Sequence, residues 1–286
     1  MTLLLAALIC RSEPLSSLGE RGRGKGREPG EYTSAPKVQA AIKPRTLLPG
    51  TIRFPAEEAI QGVAVDKEAF YAINNFAIGK YDKRTGKKLA EWKGEKGGPI
   101  IHLDGGAVVR GKLYCPHSNF SQTPMISSIE VWDCKTLKHV QSYPMGYTPG
   151  AANWIDWHDN AWWVGFANYN GTGGVPGRGN EFSYVARYDK EFRQLGEYTF
   201  PKSMVETWEG MSISGAVWLS NNTILMAPHT EPELYVARLP KMGSVLEFVK
   251  TIPVENEGQG IALDPDGKTI WAIQRRTREV MAYRLP

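Results

Sequence analysis

Five apolar runs along the chain each end on polar side chains. They are Phe70-Tyr71-Ala72-Ile73 into Asn74-Asn75, Leu113-Tyr114-Cys115-Pro116 into His117-Ser118, and Trp162 through Ala167 into Asn168. Leu225-Met226-Ala227-Pro228 into His229-Thr230 and Ile270-Trp271-Ala272-Ile273 into Gln274-Arg275 complete the set. Short apolar runs bounded by turn residues read as strands buried on both faces. In the first unit, Gln61 to Val65 precedes the run as an inner strand, and a third strand ends at Lys80-Tyr81-Asp82. A turn at Lys83-Arg84-Thr85-Gly86 then leads to an outer strand, Lys88 to Trp92. Units two, three and four repeat the order, with third strands near Ile129–Asp133, Tyr184–Asp189 and Leu234–Arg238 and outer strands after each. A period of roughly 40–60 residues built from short strands predicts a β-propeller.

The fifth unit runs through Val280-Met281-Ala282-Tyr283-Arg284 and lacks an outer strand. An open edge there is an aggregation liability. The segment Gly50-Thr51-Ile52-Arg53-Phe54-Pro55 resembles the outer strand Gly196-Glu197-Tyr198-Thr199-Phe200-Pro201. It is therefore predicted to complete the last blade. The expected fold is all-β: one five-bladed propeller of four-stranded blades over residues 46–286, closed by a strand at about residues 50–55. A six-bladed count needs a split within 150–210, where unit three is longest.

Residues 1–45 read differently. Leu3 to Ile9, before Cys10, resembles the apolar core of an export signal without its positive leader; a mis-called start codon explains the same residues. The expected location is secreted or periplasmic, and otherwise cytoplasmic. Residues 11–45, with Arg-Gly-Arg-Gly-Lys-Gly at 21–26, lack hydrophobic periodicity and are expected to be disordered. The chain's formal net charge of +4 arises within residues 1–50, which hold eight Lys/Arg against four Glu. The remainder is neutral, so no basic groove for nucleic acid is indicated. No apolar run reaches the ~18 residues of a spanning helix. Cys115 and Cys134 lack the spacing of a zinc site or a disulfide framework. A monomer binding a small molecule is expected.

Aligning the inner strands makes Gln61, Asp104, Asn153, Ser214 and Gln259 equivalent, most of them followed by Gly, and a propeller turns such residues toward its axis. The ends of the second strands add Asn74, His117, Asn168, His229 and Gln274. Cys115-Pro116-His117-Ser118 and Ala227-Pro228-His229-Thr230 share a step in which proline fixes an extended backbone before the histidine. Neutral imidazoles beside carboxylates suit a divalent cation or proton transfer. Asp104, His117, His229 and Glu209 are therefore the candidate catalytic and metal-holding residues, with Ca, Zn or Mn as the expected cation. Gln61, Asn74, Asn153, Asn168, Trp208, Glu231, Gln259 and Gln274 are candidates to bind substrate. The competing reading is a polar ring that holds only water and itself. The register of the fourth unit is open: Glu209-Gly210-Met211 copies Gln61-Gly62-Val63, so Glu209 competes with Ser214 for the axial position. His139 and His158 are expected at the surface, and the Gly-rich insertion 168–181 over the mouth.

The grammar Gln-Gly-Val-Ala-Val-Asp at 61–66 and Gln-Gly-Ile-Ala-Leu-Asp-Pro-Asp-Gly at 259–267 resembles the broad NHL/YVTN/SMP-30-like propeller group over most of residues 50–286. Lactonases of that group hold a divalent metal at the channel mouth through Glu, Asn and Asp. By position the resemblance implies Glu209, Asn153 or Asn168, and Asp104 for those roles, while His117 and His229 depart from that set. Plant-type glutaminyl cyclases, also five-bladed, have Gln-Gly-Leu and Glu-Gly-Leu strand starts similar to Gln61-Gly62-Val63 and Glu209-Gly210-Met211, without this chain sharing the aromatic residue and Thr before the Gln. The resemblance implies a lactone hydrolase, isomerase or lyase acting on a small polar, sugar-derived substrate. A propeller that binds a ligand or a protein without chemistry is the alternative.

Overall fold

The second strand of each repeat is largely buried because both of its faces meet other blades. In the computed structural model, which describes residues 48–171, 175–219 and 222–285, β1 is Ile52–Pro55 and blade one runs β2 (Gly62–Val65), β3 (Ala69–Asn74), β4 (Ala77–Asp82) and β5 (Lys88–Lys93). Blade two is β6 (Ala107–Val109), β7 (Lys112–Ser118), β8 (Ile126–Asp133) and β9 (His139–Tyr147). Blade three is β10 (Ala151–His158), β11 (Ala161–Ala167), β12 (Tyr184–Tyr188) and β13 (Gln194–Thr199). After one short helix, Lys202–Val205, blade four is β14 (Ile213–Trp218), β15 (Thr223–Pro228), β16 (Glu233–Arg238) and β17 (Glu247–Pro253). β18 (Ala262–Leu263), β19 (Thr269–Gln274) and β20 (Glu279–Arg284) begin blade five. Each blade is a four-stranded antiparallel sheet. The arm expected over residues 1–45 lies outside the described residues.

Burial explains the pattern read from the sequence. β11 is buried at all seven positions, whereas the outer strands β5 and β13 alternate exposed and half-buried residues. Only the innermost strands have packed surface on both faces; the outermost show water one side. Five apolar clusters fill the gaps between successive blades. Trp154, Trp163 and Trp218 pack blade three on blade four, and Val217, Leu225, Ile261 and Ile270 pack four on five. Phe70, Val63, Trp271 and Ile273 pack five back onto one. That last cluster is what closes the ring.

The terminal strand does what the repeat required. β1 pairs antiparallel with β20, Ile52 opposite Ala282 and Phe54 opposite Val280. Phe54 stacks on Phe70 at 5.4 Å and on Trp271 at 6.2 Å, so one aromatic ring touches both blades at the seam. Arg53 pairs with Glu255 and, at 3.3 Å, with Glu279. The fifth blade thus has four strands, and the edge of β20 is covered.

At the axis the glycines explain why the inner strands approach so closely. A Cβ on Gly62 would stand 2.8 Å from Gly105 Cα, one on Gly260 would stand 2.8 Å from Gly62 Cα, and one on Gly215 would meet Gly260 Cα at 2.7 Å. Four blades therefore touch through backbone there. The polar residue just before each of these glycines lies beside the closed point, on one side of it. Two of the ring positions are bulges: Asn153 falls between the pairs Ala152–Phe166 and Trp154–Gly165, and Ser214 between Ile213–Pro228 and Gly215–Ala227. A bulge re-aims the extra residue, which resolves the fourth unit's register in favour of Ser214. Glu209 is exposed, in a left-handed conformation (φ 51°) after the short 3-10 turn Glu206–Trp208.

Candidate functional site

On the polar side of the glycine contact lies a cavity of about 240 Å³, room for about eight waters at ~30 Å³ each. Gln61, Asp104, Ser214 and Gln259 of the ring form its floor, and His102, His229 and Arg275 add titratable groups to its wall. An arc of aromatic rings bounds it: His102 against Phe120 at 5.1 Å, Phe120 against Tyr169 at 5.5 Å, and Tyr169 against His229 at 6.0 Å. Tyr169 and Asn170, from the start of the 168–181 insertion, reach the cavity, and Asn170 N donates to Gly210 O at 2.8 Å. Residues 172–174 of that insertion lie outside the described residues.

Each floor residue is held from behind. The amide of Gln61 donates to Asn75 Oδ1, and Gln61 O accepts from Gly260 N at 2.9 Å. Gln259 Nε2 donates to His229 O at 2.8 Å and so fixes the backbone of the residue that carries the imidazole. Asp104 is 6% exposed, with its N donating to Pro116 O at 3.1 Å. Its carboxyl lies 3.5 Å from His102 Nε2.

Burial sets the electrostatics. It pushes the Asp104 carboxyl well above the usual carboxylate range, with Arg275 opposing more weakly. It lowers His102 to about 4, assisted by His117 and Arg275, and lowers His229 to about 4, assisted by Arg275. The hydroxyl of Tyr169 is raised by burial as well. Asp104 and His102 are thus each driven toward the neutral form, and their contact is an acid–imidazole pair without full ionisation. His229 Nδ1 is buried and has no hydrogen-bond partner among the described residues.

The structure divides the residues chosen from the sequence. Gln61, Asp104, Gln259 and His229 are brought together at the cavity. His117 is not on its wall, although its sequence context matches that of His229. β7 extends through Ser118, so His117 sits inside a strand opposite Ser128, whereas β15 ends at Pro228 and leaves His229 in a bend. His117 Nε2 accepts from Ile101 N at 3.2 Å, and Nδ1 lies 3.1 Å from Ser128 Oγ, which in turn donates to Glu130 Oε1 at 2.6 Å. Accepting at Nε2 fixes the tautomer with its proton on Nδ1. Glu209 is exposed and off the wall. Trp208 is 2% exposed and packs edge-on to Phe200 at 5.0 Å, between blades three and four. Asn153 donates to Ile213 O, Asn168 to Pro149 O and Phe182 O, and Gln274 accepts from Glu257 N. Asn74 closes the β3–β4 hairpin opposite Ala77, and Glu231 lies in the turn between β15 and β16. These last five residues hold loops and blades together.

Of the other histidines, His139 is exposed and pairs with Glu130 at 2.7 Å. His158 is half-buried, stacking on Trp218 at 4.7 Å. His102 stands in the lead-in to the strand after Asp104, and the repeat pattern alone assigns no site role to Arg275, Tyr169 or Phe120. Arg275 carried a legible signal: it follows Gln274 at the polar end of the fifth apolar run.

No family model and no curated protein matches the chain. Among solved structures it is similar to hydrazine synthase of Kuenenia stuttgartiensis, at 13% identity over 78% of this chain and 83% of that one, with a TM-score of 0.47. It is also similar to a chain in the mitotic checkpoint complex, at 10% identity over 91% and 99% of the two chains, with a TM-score of 0.46. U3-55K matches at 13% identity over 78% and 80%, also with a TM-score of 0.46. At such identities and superpositions these likenesses say nothing about what this chain does.

Proposed function

We propose that the mouth cavity is the active site of a hydrolase, isomerase or lyase that moves protons on a small polar molecule. The observation that carries this reading is the convergence of Asp104, His102 and His229 on one cavity, all driven toward neutrality by burial. A buried carboxylic acid kept protonated is a general acid, and a neutral imidazole is a general base. His229 would take the proton from the substrate carbon or from an attacking water. Asp104, positioned by His102, would give its proton to the oxygen on which charge develops. Gln259 supports this by anchoring the His229 carbonyl. The strand grammar at 61–66 and 259–267 resembles that of the NHL/YVTN/SMP-30-like group.

The cation expected from that resemblance fits the wall poorly. Arg275 presents a positive charge to the same space as Asp104, His102 and His229 and opposes a divalent ion. Among the described residues no three His, Cys, Asp or Glu side chains gather into a metal-holding cluster. No step is therefore routed through a metal. Among the described residues no helix is long and apolar enough to cross a membrane.

Turnover of a panel of small lactones and hydroxy acids by the purified chain tests the reading. We expect activity that survives dialysis against a chelator, since no step needs a metal, and that His229→Gln lowers by about 10²–10⁴-fold. Tight binding of panel members with no turnover of any would establish the non-catalytic alternative.

A further inference from the structure

Arg275 directly follows β19, half-buried on the cavity wall. Nearby arginines are engaged: Arg276 Nε stands 3.2 Å from Glu257 Oε2, and Arg278 Nη1 donates to Glu57 O at 3.0 Å. Arg275 has no ion-pair or hydrogen-bond partner among the described residues. The carboxyl on the same wall, Asp104, pairs with His102 and lies outside ion-pair distance of the guanidinium. A guanidinium stays charged at any ordinary pH, and leaving it partly desolvated without a partner is costly. Burial drives the other titratable groups on the wall toward their neutral forms. Among the described residues the wall therefore offers this guanidinium no ion-paired carboxylate.

We propose that the ligand supplies the missing charge: the cavity takes a small polar molecule bearing a carboxylate, which Arg275 grips through two parallel N–H donors. The inference rests on reading this cavity as the substrate site and names the class of molecule that enters it. A planar guanidinium fork matches a carboxylate in shape and charge. A phosphate monoester brings −1.5 to −2 charges, more than one guanidinium neutralises. With the carboxylate on Arg275, the rest of a molecule of hydroxy-acid size fills the space toward Asp104 and His229, while Phe120 and Tyr169 exclude water at its side. This favours substrates already ionised in the ground state over neutral lactones, which acquire a carboxylate only on opening.

Titration calorimetry and thermal shift on the full chain, with succinate and glycerate against succinamide and inorganic phosphate, decide the matter. We expect the carboxylates to bind and raise the melting temperature, and the amide not to. Arg275→Gln weakens carboxylate binding ~10- to 100-fold, Arg275→Lys weakens it less, and Arg276→Gln leaves it unchanged. Equal binding of succinamide, preference for phosphate, unaltered binding in a folded Arg275→Gln protein, or no carboxylate binding at all would each overturn the inference. Carboxylate binding with no turnover removes the enzyme reading and leaves this one standing. Turnover of a neutral substrate that Arg275→Gln does not affect does the reverse.

Discussion

Asp104→Asn is expected to make the protein more stable above neutral pH while lowering turnover by about 10²–10⁴-fold. Both effects have one cause. Burial raises the folded-state pKa of Asp104 well above its ordinary value. A group raised in this way favours folding at pH below its unfolded pKa of about 3.9, and that contribution is lost as pH rises through the folded value. At pH 8 the native state must hold either a proton the solvent does not favour or a charge the cavity does not solvate. The amide removes that conflict and also removes the only acid that Asp104 offers the substrate. His102 and His229 act in the opposite window. Their folded pKa values of about 4 lie below the ordinary 6.5, so stability declines as pH falls from 6.5 through 4. Melting temperatures of wild type and Asp104→Asn are expected to separate in favour of the variant as pH rises from the unfolded pKa of about 3.9 toward the raised folded value. A variant that is no more stable at pH 9, or that turns over normally, contradicts the role given to this carboxyl.

Gly215→Ala is expected to destabilise the fold by about 3 kcal/mol or more, at the upper end of what overpacking costs. The methyl group would lie 2.6 Å from Gln259 O, 2.7 Å from Gly260 Cα and 2.8 Å from Ile261 N. All three are backbone atoms of the neighbouring blade, so no side chain can turn aside to make room. The strain also falls on Gln259, whose amide holds the His229 carbonyl. The change should therefore weaken ligand binding along with stability. Gly196→Ala, where an added Cβ meets nothing within 4 Å, is the control and should stay near wild type. Urea unfolding of the two variants measures the difference. Equal midpoints would mean that the blades do not meet through backbone at the axis.

The architecture was legible because each blade repeats a burial gradient that composition records directly. Five apolar second strands, the missing last strand and the likeness of Ile52–Pro55 to the outer strand of unit three sufficed to predict ring closure. Gln-Gly, Asp-Gly, Ser-Gly and Gln-Gly pairs also located the axis, because only glycine lets the inner strands meet there. The site was legible only in part. His117 and His229 share a proline before them, yet one lies inside a strand and the other just beyond one, and a difference of two residues in where the strand ends redirects the imidazole. Trp208 and Glu209 follow a turn whose left-handed residue swings the carboxylate to solvent and whose indole belongs to the core. Tyr169 and Phe120 reach the cavity from loop positions that no period marks, whereas Arg275 stands at the polar end of the fifth apolar run. Their roles come from where the ring brings separate chain segments together.

At the mouth of the ring, burial drives Asp104, His102 and His229 toward their neutral forms around a guanidinium with no partner among the described residues. Long-range ¹H–¹⁵N spectra of the imidazoles, followed between pH 3.5 and 8, test it most directly. The account predicts that His102 and His229 stay neutral through pH 5 and titrate with midpoints near 4, and that a carboxylate ligand shifts their resonances at pH 7. Midpoints near the ordinary 6.5 for both rings, unmoved by any carboxylate, would contradict it.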